Sequence, residues 1–321
     1  MRVLLTGMGG ELGTRVTNLL EADDRIDEIV GVDVNPPRGR TSRARFHLVD
    51  PHDRPRTVEI VRDLDPTAVV HLGLYEPAAR VRTGVGAELS EASALVALGA
   101  AAQCPSIERM VVRSGIEVYG RPRGGPQRPD ETVTPQPTTP WGRALARIEE
   151  MASRAADVAD VPLTILRFAP VVGPHVPSPL GRLLRLPVVP VSMVSDPPFS
   201  LLHQEDAAAA SVRALEAGLA ATVNVVGPGA VTPFQAVRMG GRVPMPVVGP
   251  GWLGARVACE MVGAPLPPHV IELMLRGRGA DGALGEELLG LEPVRSTAQV
   301  VRDLYEWADV VHLEPTTRSA A

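Results

Sequence analysis

Short apolar runs and amphipathic stretches alternate through the first half of the chain, a pattern that predicts a parallel sheet with crossover helices. Val3 to Thr6, Ile29 to Asp33, Phe46 to Val49, Ala68 to Leu72, Met110 to Ser114 and Thr164 to Phe168 read as strands. Thr14 to Glu21, Val58 to Leu64, Glu88 to Ala102 and Trp141 to Ala156 read as helices; the last carries Leu145, Ile148 and Ala152 at helical spacing. Arg121 to Pro140, rich in Pro and Gly, reads as loop. Beyond Pro170 the pattern breaks: prolines crowd the chain as far as Pro198, and an Ala-rich helix and mixed pieces follow. The break predicts a first domain over residues 1–172 with a returning segment at about 199–228. Residues 173–198 and 229–321 would then form a smaller lobe at the carboxyl edge of the sheet, where open α/β sheets bind ligands. No internal repeat is visible, and the polar tail from Glu314 to Ala321 is expected to fray.

The turn after the first strand, Thr6-Gly7-Met8-Gly9-Gly10-Glu11-Leu12-Gly13, carries glycines at i, i+3 and i+6. Such a turn must bend sharply, let backbone approach a pyrophosphate and pack a helix against a strand, and glycine permits all three. Gly7, Gly9, Gly10, Glu11, Leu12 and Gly13 are therefore expected to cradle phosphates at a helix N-terminus. About 20 residues on, Asp33 ends the second strand, where a carboxylate takes ribose hydroxyls. The fold expected is an α/β doubly wound sheet of Rossmann type with a smaller C-terminal substrate lobe. Asp33 favours NAD, with NADP disfavoured by repulsion of its 2′-phosphate, although Arg38 and Arg40 a few residues on soften that preference.

Composition narrows the setting. A formal net charge of -5 over 321 residues gives no reason to expect nucleic acid or an anionic membrane as partner. Met1 leads straight into Val3-Leu4-Leu5 without the regions of an export signal, so the expected location is cytoplasmic. The apolar stretches Leu183 to Val194 and Pro244 to Val262 are interrupted by Arg185, Pro187, Pro190, Arg256 and Glu260, and neither reads as a transmembrane segment. Cys104 and Cys259, far apart, suggest neither a disulfide framework nor a metal site.

With its TGxxGxxG spacing the chain resembles the extended short-chain dehydrogenase/reductase family, which contains the NAD-dependent nucleotide-sugar epimerases and dehydratases. Asp50 resembles that family's adenine-binding aspartate, and Val70-His71-Leu72-Gly73 its VxHxAA segment, placing Leu72 and Gly73 beside the cofactor. Ser114-Gly115-Ile116-Glu117-Val118-Tyr119-Gly120 resembles SSxxVYG. Leu166-Arg167-Phe168-Ala169-Pro170-Val171-Val172-Gly173-Pro174 resembles LRxxNVYGP, and Leu202-His203-Gln204-Glu205-Asp206-Ala207 the HVDDVA segment. The resemblance implies bound NAD, a small-molecule ligand of the nucleotide-sugar class, and a homodimer built on the helices Glu88 to Ala102 and Trp141 to Ala156. Ala92, Ala97, Ala144 and Ala155 on those helices would allow close approach.

The family's chemistry is what the sequence lacks. All 32 residues of the Lys and Arg class are arginine. Active members use a serine or threonine, a tyrosine that trades its proton, and a lysine that lowers the tyrosine's pKa and grips the nicotinamide ribose. Pro140-Trp141-Gly142-Arg143-Ala144-Leu145 falls in register with PYGxxK, which puts Trp141 at the tyrosine and Leu145 at the lysine. An indole N–H is neither acid nor base in water. The hydroxyl position falls on Gly115, and Pro170 replaces a substrate-facing asparagine. The pocket is therefore expected to be more apolar than an epimerase's, with open space at Gly115. Replacement candidates are Ser114, Glu117 and Arg143, together with Arg113 and His175. Against them, Ser114 is expected to point across the strand from residue 115, and Glu117 to pair with Arg143. Tyr119, His71 and His203 read as structural, and Tyr75 and Tyr305 have no partner that would lower their pKa. The expected function is a non-catalytic or weakly catalytic sensor or scaffold; the alternative is an oxidoreductase or epimerase with substitute acid and base groups.

Overall fold

The computed structural model describes residues 1–79, 84–122, 124–173, 175–291 and 295–309. Six strands come from the first half: β1 (Arg2–Thr6), β2 (Glu28–Asp33), β3 (Arg45–Leu48), β4 (Ala68–His71), β5 (Arg109–Gly115) and β6 (Leu163–Phe168). After the short β7 (Val171–Val172), β8 (Val188–Ser192) and β9 (Leu202–His203), the chain returns with β10 (Ala221–Val225), a seventh sheet strand that the sequence pattern had not revealed. The order is β10-β6-β5-β4-β1-β2-β3, and every pairing is parallel. Between β4 and β2 the winding reverses around β1, which creates the crevice where such sheets hold nucleotides. The α/β doubly wound reading is borne out.

Val3, Leu4 and Leu5 are wholly buried, as befits a strand covered on both faces. On one face lie α1 (Glu11–Glu21), with Val16 and Leu20, and the later α6 (Gln204–Ala217), with Ala207, Ala210 and Ala214. On the other lie α2 (Arg54–Leu64), α3 (Gly86–Ala101) and the C-terminal part of α4 (Pro140–Ala159), with Ile60, Leu98, Ile148 and Ala152. All four helices read from the sequence start earlier than the residue from which they were read. α1 begins at Glu11 rather than Thr14, straight off the glycine turn. Asp53 caps α2 by accepting from Arg56 N, and Thr139 caps α4 by accepting from Gly142 N. Each cap satisfies a free N–H of the first turn, which periodicity does not register.

Ala97, Ala144 and Ala155 are buried within the chain itself, and α3 packs directly on α4. Their small size serves that packing, so it no longer argues for a contact between copies. The large apolar side chains that these helices expose are Leu95 and Val158.

A second core gathers β8, a strand β11 (Val243–Val247) paired with it, and the helices α5 (Pro179–Leu184), α7 (Pro233–Met239), α8 (Gly251–Met261), α9 (Pro268–Arg276) and α11 (Thr297–Asp309). Leu183, Val189, Trp252, Leu273 and Leu304 lie inside it, while α10 (Ala283–Leu289) packs back on β10. No helix among the described residues is long and apolar enough to cross a membrane. The tail from Glu314 lies outside the described residues.

Candidate functional site

The glycine turn folds so tightly that side chains have no room. Gly7 adopts φ +73° and lies where a Cβ would stand 2.7 Å from Gly73 N. A Cβ at Gly9 would overlap the Asn35 carbonyl, and one at Gly13 the Gly7 carbonyl. Gly10 caps α1 without a side-chain hydrogen bond, leaving the N-terminal N–H groups to point into the crevice. Gly7, Gly10, Glu11, Leu12 and Gly13 line one pocket with Asp33, Leu72, Gly73 and Glu76. This backbone cradle fits a pyrophosphate; Glu11 stands beside it, balanced by Arg15 at 3.1 Å.

Asp33 also borders a second, smaller pocket with Asp50, Thr57, Ser93 and Ala97, at the end suited to an adenine. The two pockets meet at Tyr75, whose hydroxyl donates to Asp33 Oδ1 at 3.2 Å. Burial first, then the Asp33 charge, pushes the Tyr75 phenol well above its usual value, so it stays a donor. Asp50, exposed, is held below the ordinary carboxylate range by accepting from the backbone N–H of His52. Arg38, offered as a phosphate partner, instead donates to the His175 carbonyl at 3.0 Å and lies 3.6 Å from Glu11, while Arg40 is exposed.

Trp141 and Leu145 are buried at the start of α4. The expected open space at Gly115 is absent, because a Cβ there would overlap the Glu117 carboxylate and meet Leu145 Cδ1 at 3.1 Å. Glu117 does not pair with Arg143, which is exposed on α4, but with Arg278 at 3.2 Å. Arg278 also binds Glu272 at 2.6 Å and is almost fully buried, so the centre is ionic as well as apolar. Two carboxylates clamp one guanidinium through its two terminal nitrogens, which offsets much of the cost of burying the charge, while its Nε has no hydrogen-bond partner.

Ser114 turns to the other side of β5 and donates to Glu149 Oε1 at 2.6 Å. There Arg167 binds Glu149 through two nitrogens and donates to the Tyr119 hydroxyl, which donates to Asn224 Oδ1. Burial opposes the Arg167 charge, but Glu149 more than offsets it and raises its pKa. The motif residues Ser114, Tyr119 and Arg167 thus join β5, β6, β10 and α4. His203 caps α6, and His71 bonds Thr6 through Nδ1 with its Nε2 left unpartnered. Burial, then the Arg113 charge, pulls the His71 pKa down to about 4. Tyr305 donates to the Leu184 carbonyl in the second core. His175, in the segment after β7, meets Arg38 through its carbonyl.

Sequence reasoning missed several residues here. Glu76 lines the cofactor crevice and accepts from or shares a proton with His269 Nε2 at 3.1 Å. His269, on α9, is buried with its Nδ1 unpartnered, and its ring centroid lies 6.2 Å from that of Trp141. Its distance of 193 residues from Glu76 left no local signal. Arg278 and Glu272 come from the same remote stretch. A further cavity of about 360 Å³ lies at the boundary with the second lobe, bordered by Arg121, Arg128, Arg276, Ser200 and the Gly227 to Ala230 loop. No group of three or more His, Cys, Asp or Glu placed to hold a metal occurs among the described residues.

This combination of a seven-stranded parallel sheet, a glycine cradle and a carboxylate at the switch point defines a dinucleotide-binding protein of Rossmann type. Residues 3–227 match the NAD dependent epimerase/dehydratase family, and the chain belongs to it. An uncharacterized protein of Mycobacterium tuberculosis is 33% identical over 270 residues, covering 78% of this chain and 68% of its own. Among solved structures, a UDP-glucose 4-epimerase of Thermotoga maritima with UDP-glucose aligns with TM-score 0.73 at 21% identity, covering 97% of this chain and 99% of its own. A UDP-glucuronic acid 4-epimerase of Bacillus cereus, in complex with UDP-glucuronic acid and NAD, aligns with TM-score 0.74 at 18% identity, over 97% and 100%. At such identities the two epimerases share the fold.

Proposed function

We propose that this chain binds NAD in the glycine-lined crevice and acts as a ligand-responsive sensor or scaffold, without the tyrosine and lysine chemistry of its family. NAD is the cofactor of the family, and the cradle and Asp33 suit it in shape and charge. The observation that carries the non-catalytic reading is the Glu117 carboxylate. Held by Arg278, it fills the place from which a hydroxyl at position 115 would hold a substrate oxygen. Residues 1–172 and 199–228 serve the cofactor in this reading, and residues 173–198 and 229–321 a ligand. The cavity bordered by Arg128 and Arg276, and also by Asp281 and Glu286, is the place this reading gives to a phosphate-bearing small molecule such as a nucleotide sugar, since guanidinium forks pair with phosphate oxygens. Mixing the NAD-loaded protein with UDP-glucose tests this. Ligand binding by calorimetry without any change at 340 nm or any epimer formed supports a sensor, and turnover above background overturns it.

A second reading, an active oxidoreductase or epimerase, is favoured by one feature. His269 places an acid–base group beside Trp141, backed by Glu76. Should turnover be found, His269→Gln would lower it by about 10²-fold or more.

A further inference from the structure

Leu145 leaves the cofactor without the ammonium that related enzymes deliver from α4, yet the crevice is not without a cation. Arg113 lines it together with Gly7, Gly10, Gly73 and Glu76. The position follows from strand geometry: residues 113 and 115 lie on the same side of β5, and Ser114 on the opposite side reaches Glu149. A side chain at 113 therefore shares its face with the vacated hydroxyl position and extends along it to the cofactor pocket.

Arg113 is poorly satisfied where it stands. Its Nε is shut off from solvent and has no hydrogen-bond partner. The carboxylates that it feels are Glu76 and Glu117, and each already has a partner, in His269 and in Arg278. Burial accordingly pulls the Arg113 pKa down, with Glu76 and Glu117 only partly opposing. A buried donor without an acceptor costs free energy until a ligand supplies one. The oxygens of a ribose or a phosphate at this end of the crevice would do so, and a planar guanidinium can address two of them at once.

We propose that Arg113 is the cation that grips the nicotinamide mononucleotide half of NAD, supplying from β5 the charge that related enzymes supply from α4. The proposal rests on the NAD reading above. On this assignment, the missing lysine does not by itself imply weak NAD binding. Arg113 is here a binding and positioning residue; no proton transfer is assigned to it.

Calorimetry on the full chain tests the assignment with two titrants, NAD and AMP, because AMP reaches only the end of the crevice at Asp33 and Asp50. Arg113→Met should weaken NAD about ten-fold or more, the loss expected for a charge-assisted hydrogen bond, and leave AMP unchanged. Arg113→Lys should recover most of the NAD affinity. Unchanged NAD affinity in Arg113→Met would overturn the proposal, and so would an equal loss for AMP, which marks a structural role. If the Met variant does not fold, Arg113→Gln is titrated in the same way and judged by the same two outcomes. A wild-type chain that binds neither titrant overturns the cofactor reading and this proposal together, whereas wild-type binding untouched by the substitution overturns this proposal alone.

Discussion

The glycine turn and the surroundings of Gly115 answer to different physics. In the cradle the working groups are backbone N–H groups, and the side chains are missing because Asn35, Gly7 and Gly73 backbone atoms occupy their space. Around Gly115 the space is held by side chains instead, Leu145 and the Glu117 carboxylate, with Glu117 tied to Arg278 and Arg278 to Glu272. A turn whose conformation only glycine fits has few alternatives, while a side-chain cluster can be exchanged for another that satisfies itself. On the reading proposed above, binding geometry persists where reaction chemistry is replaced.

The sharpest way to break this comparison is at Arg278. If the centre has become structural, Arg278→Met leaves Glu117 and Glu272 buried without their cation and should destabilise the fold by about 3–5 kcal/mol in urea unfolding. A change below about 0.5 kcal/mol would mean that the trio is dispensable and the centre still open to other chemistry.

Much of the contrast was legible in the sequence, and the unread part has one cause. Glycine spacing, Asp33 and the PYGxxK register are local, so Gly7 to Gly13, Trp141 and Leu145 can be read from the sequence as candidates. The groups that refill the centre come from far along the chain: Arg278 meets Glu117 across 161 positions and His269 meets Glu76 across 193. Glu117 was consequently assigned the nearer cation Arg143, which is exposed. β10 was missed for a related reason. It is only five residues long and follows a helix among mixed pieces, so its β-branched Thr222, Val223 and Val225 stand out little until they pair with β6.

His71 lies against the cradle, bonded to Thr6 of β1, and tests that region by pH. Its folded pKa of about 4 lies below the ordinary 6.5, so the unfolded chain binds its proton first. The stability it contributes is complete above about pH 6.5 and is lost as pH falls through about 4. The gap is worth at most about 3 kcal/mol. His203 and His47, also lowered by burial first, add to the slope in the same direction. Urea midpoints should fall between pH 6.5 and 4, and His71→Asn should flatten that fall; an unchanged slope would show that His71 is not buried neutral.

Gly13→Ala probes the cradle directly. Its methyl group would overlap the Gly7 carbonyl, so backbone must shift, at a cost of about 1–3 kcal/mol in thermal or urea unfolding. NAD affinity should fall with it by at least about ten-fold, because the displaced N–H groups no longer converge. Normal NAD binding in a folded Gly13→Ala protein would show that the cradle is less demanding than its packing indicates.

The smallest effect is expected where the family's chemistry is written back. Trp141→Tyr with Leu145→Lys restores a phenol and an ammonium, and Gly115→Ser completes the set. The serine, however, must compete with the Glu117 carboxylate for the same space, and Glu117 is tied to Arg278. Unless that pair moves, the hydroxyl cannot face a ligand. The triple variant should therefore bind NAD yet give no epimerisation of UDP-glucose above background. Adding Glu117→Ala and Arg278→Met removes the obstruction as a pair, so neither charge is stranded. Activity that appears only in this five-fold variant would locate the block in the ion cluster. Activity in the triple variant alone would show that the missing tyrosine, lysine and serine were the whole difference between this centre and an epimerase's.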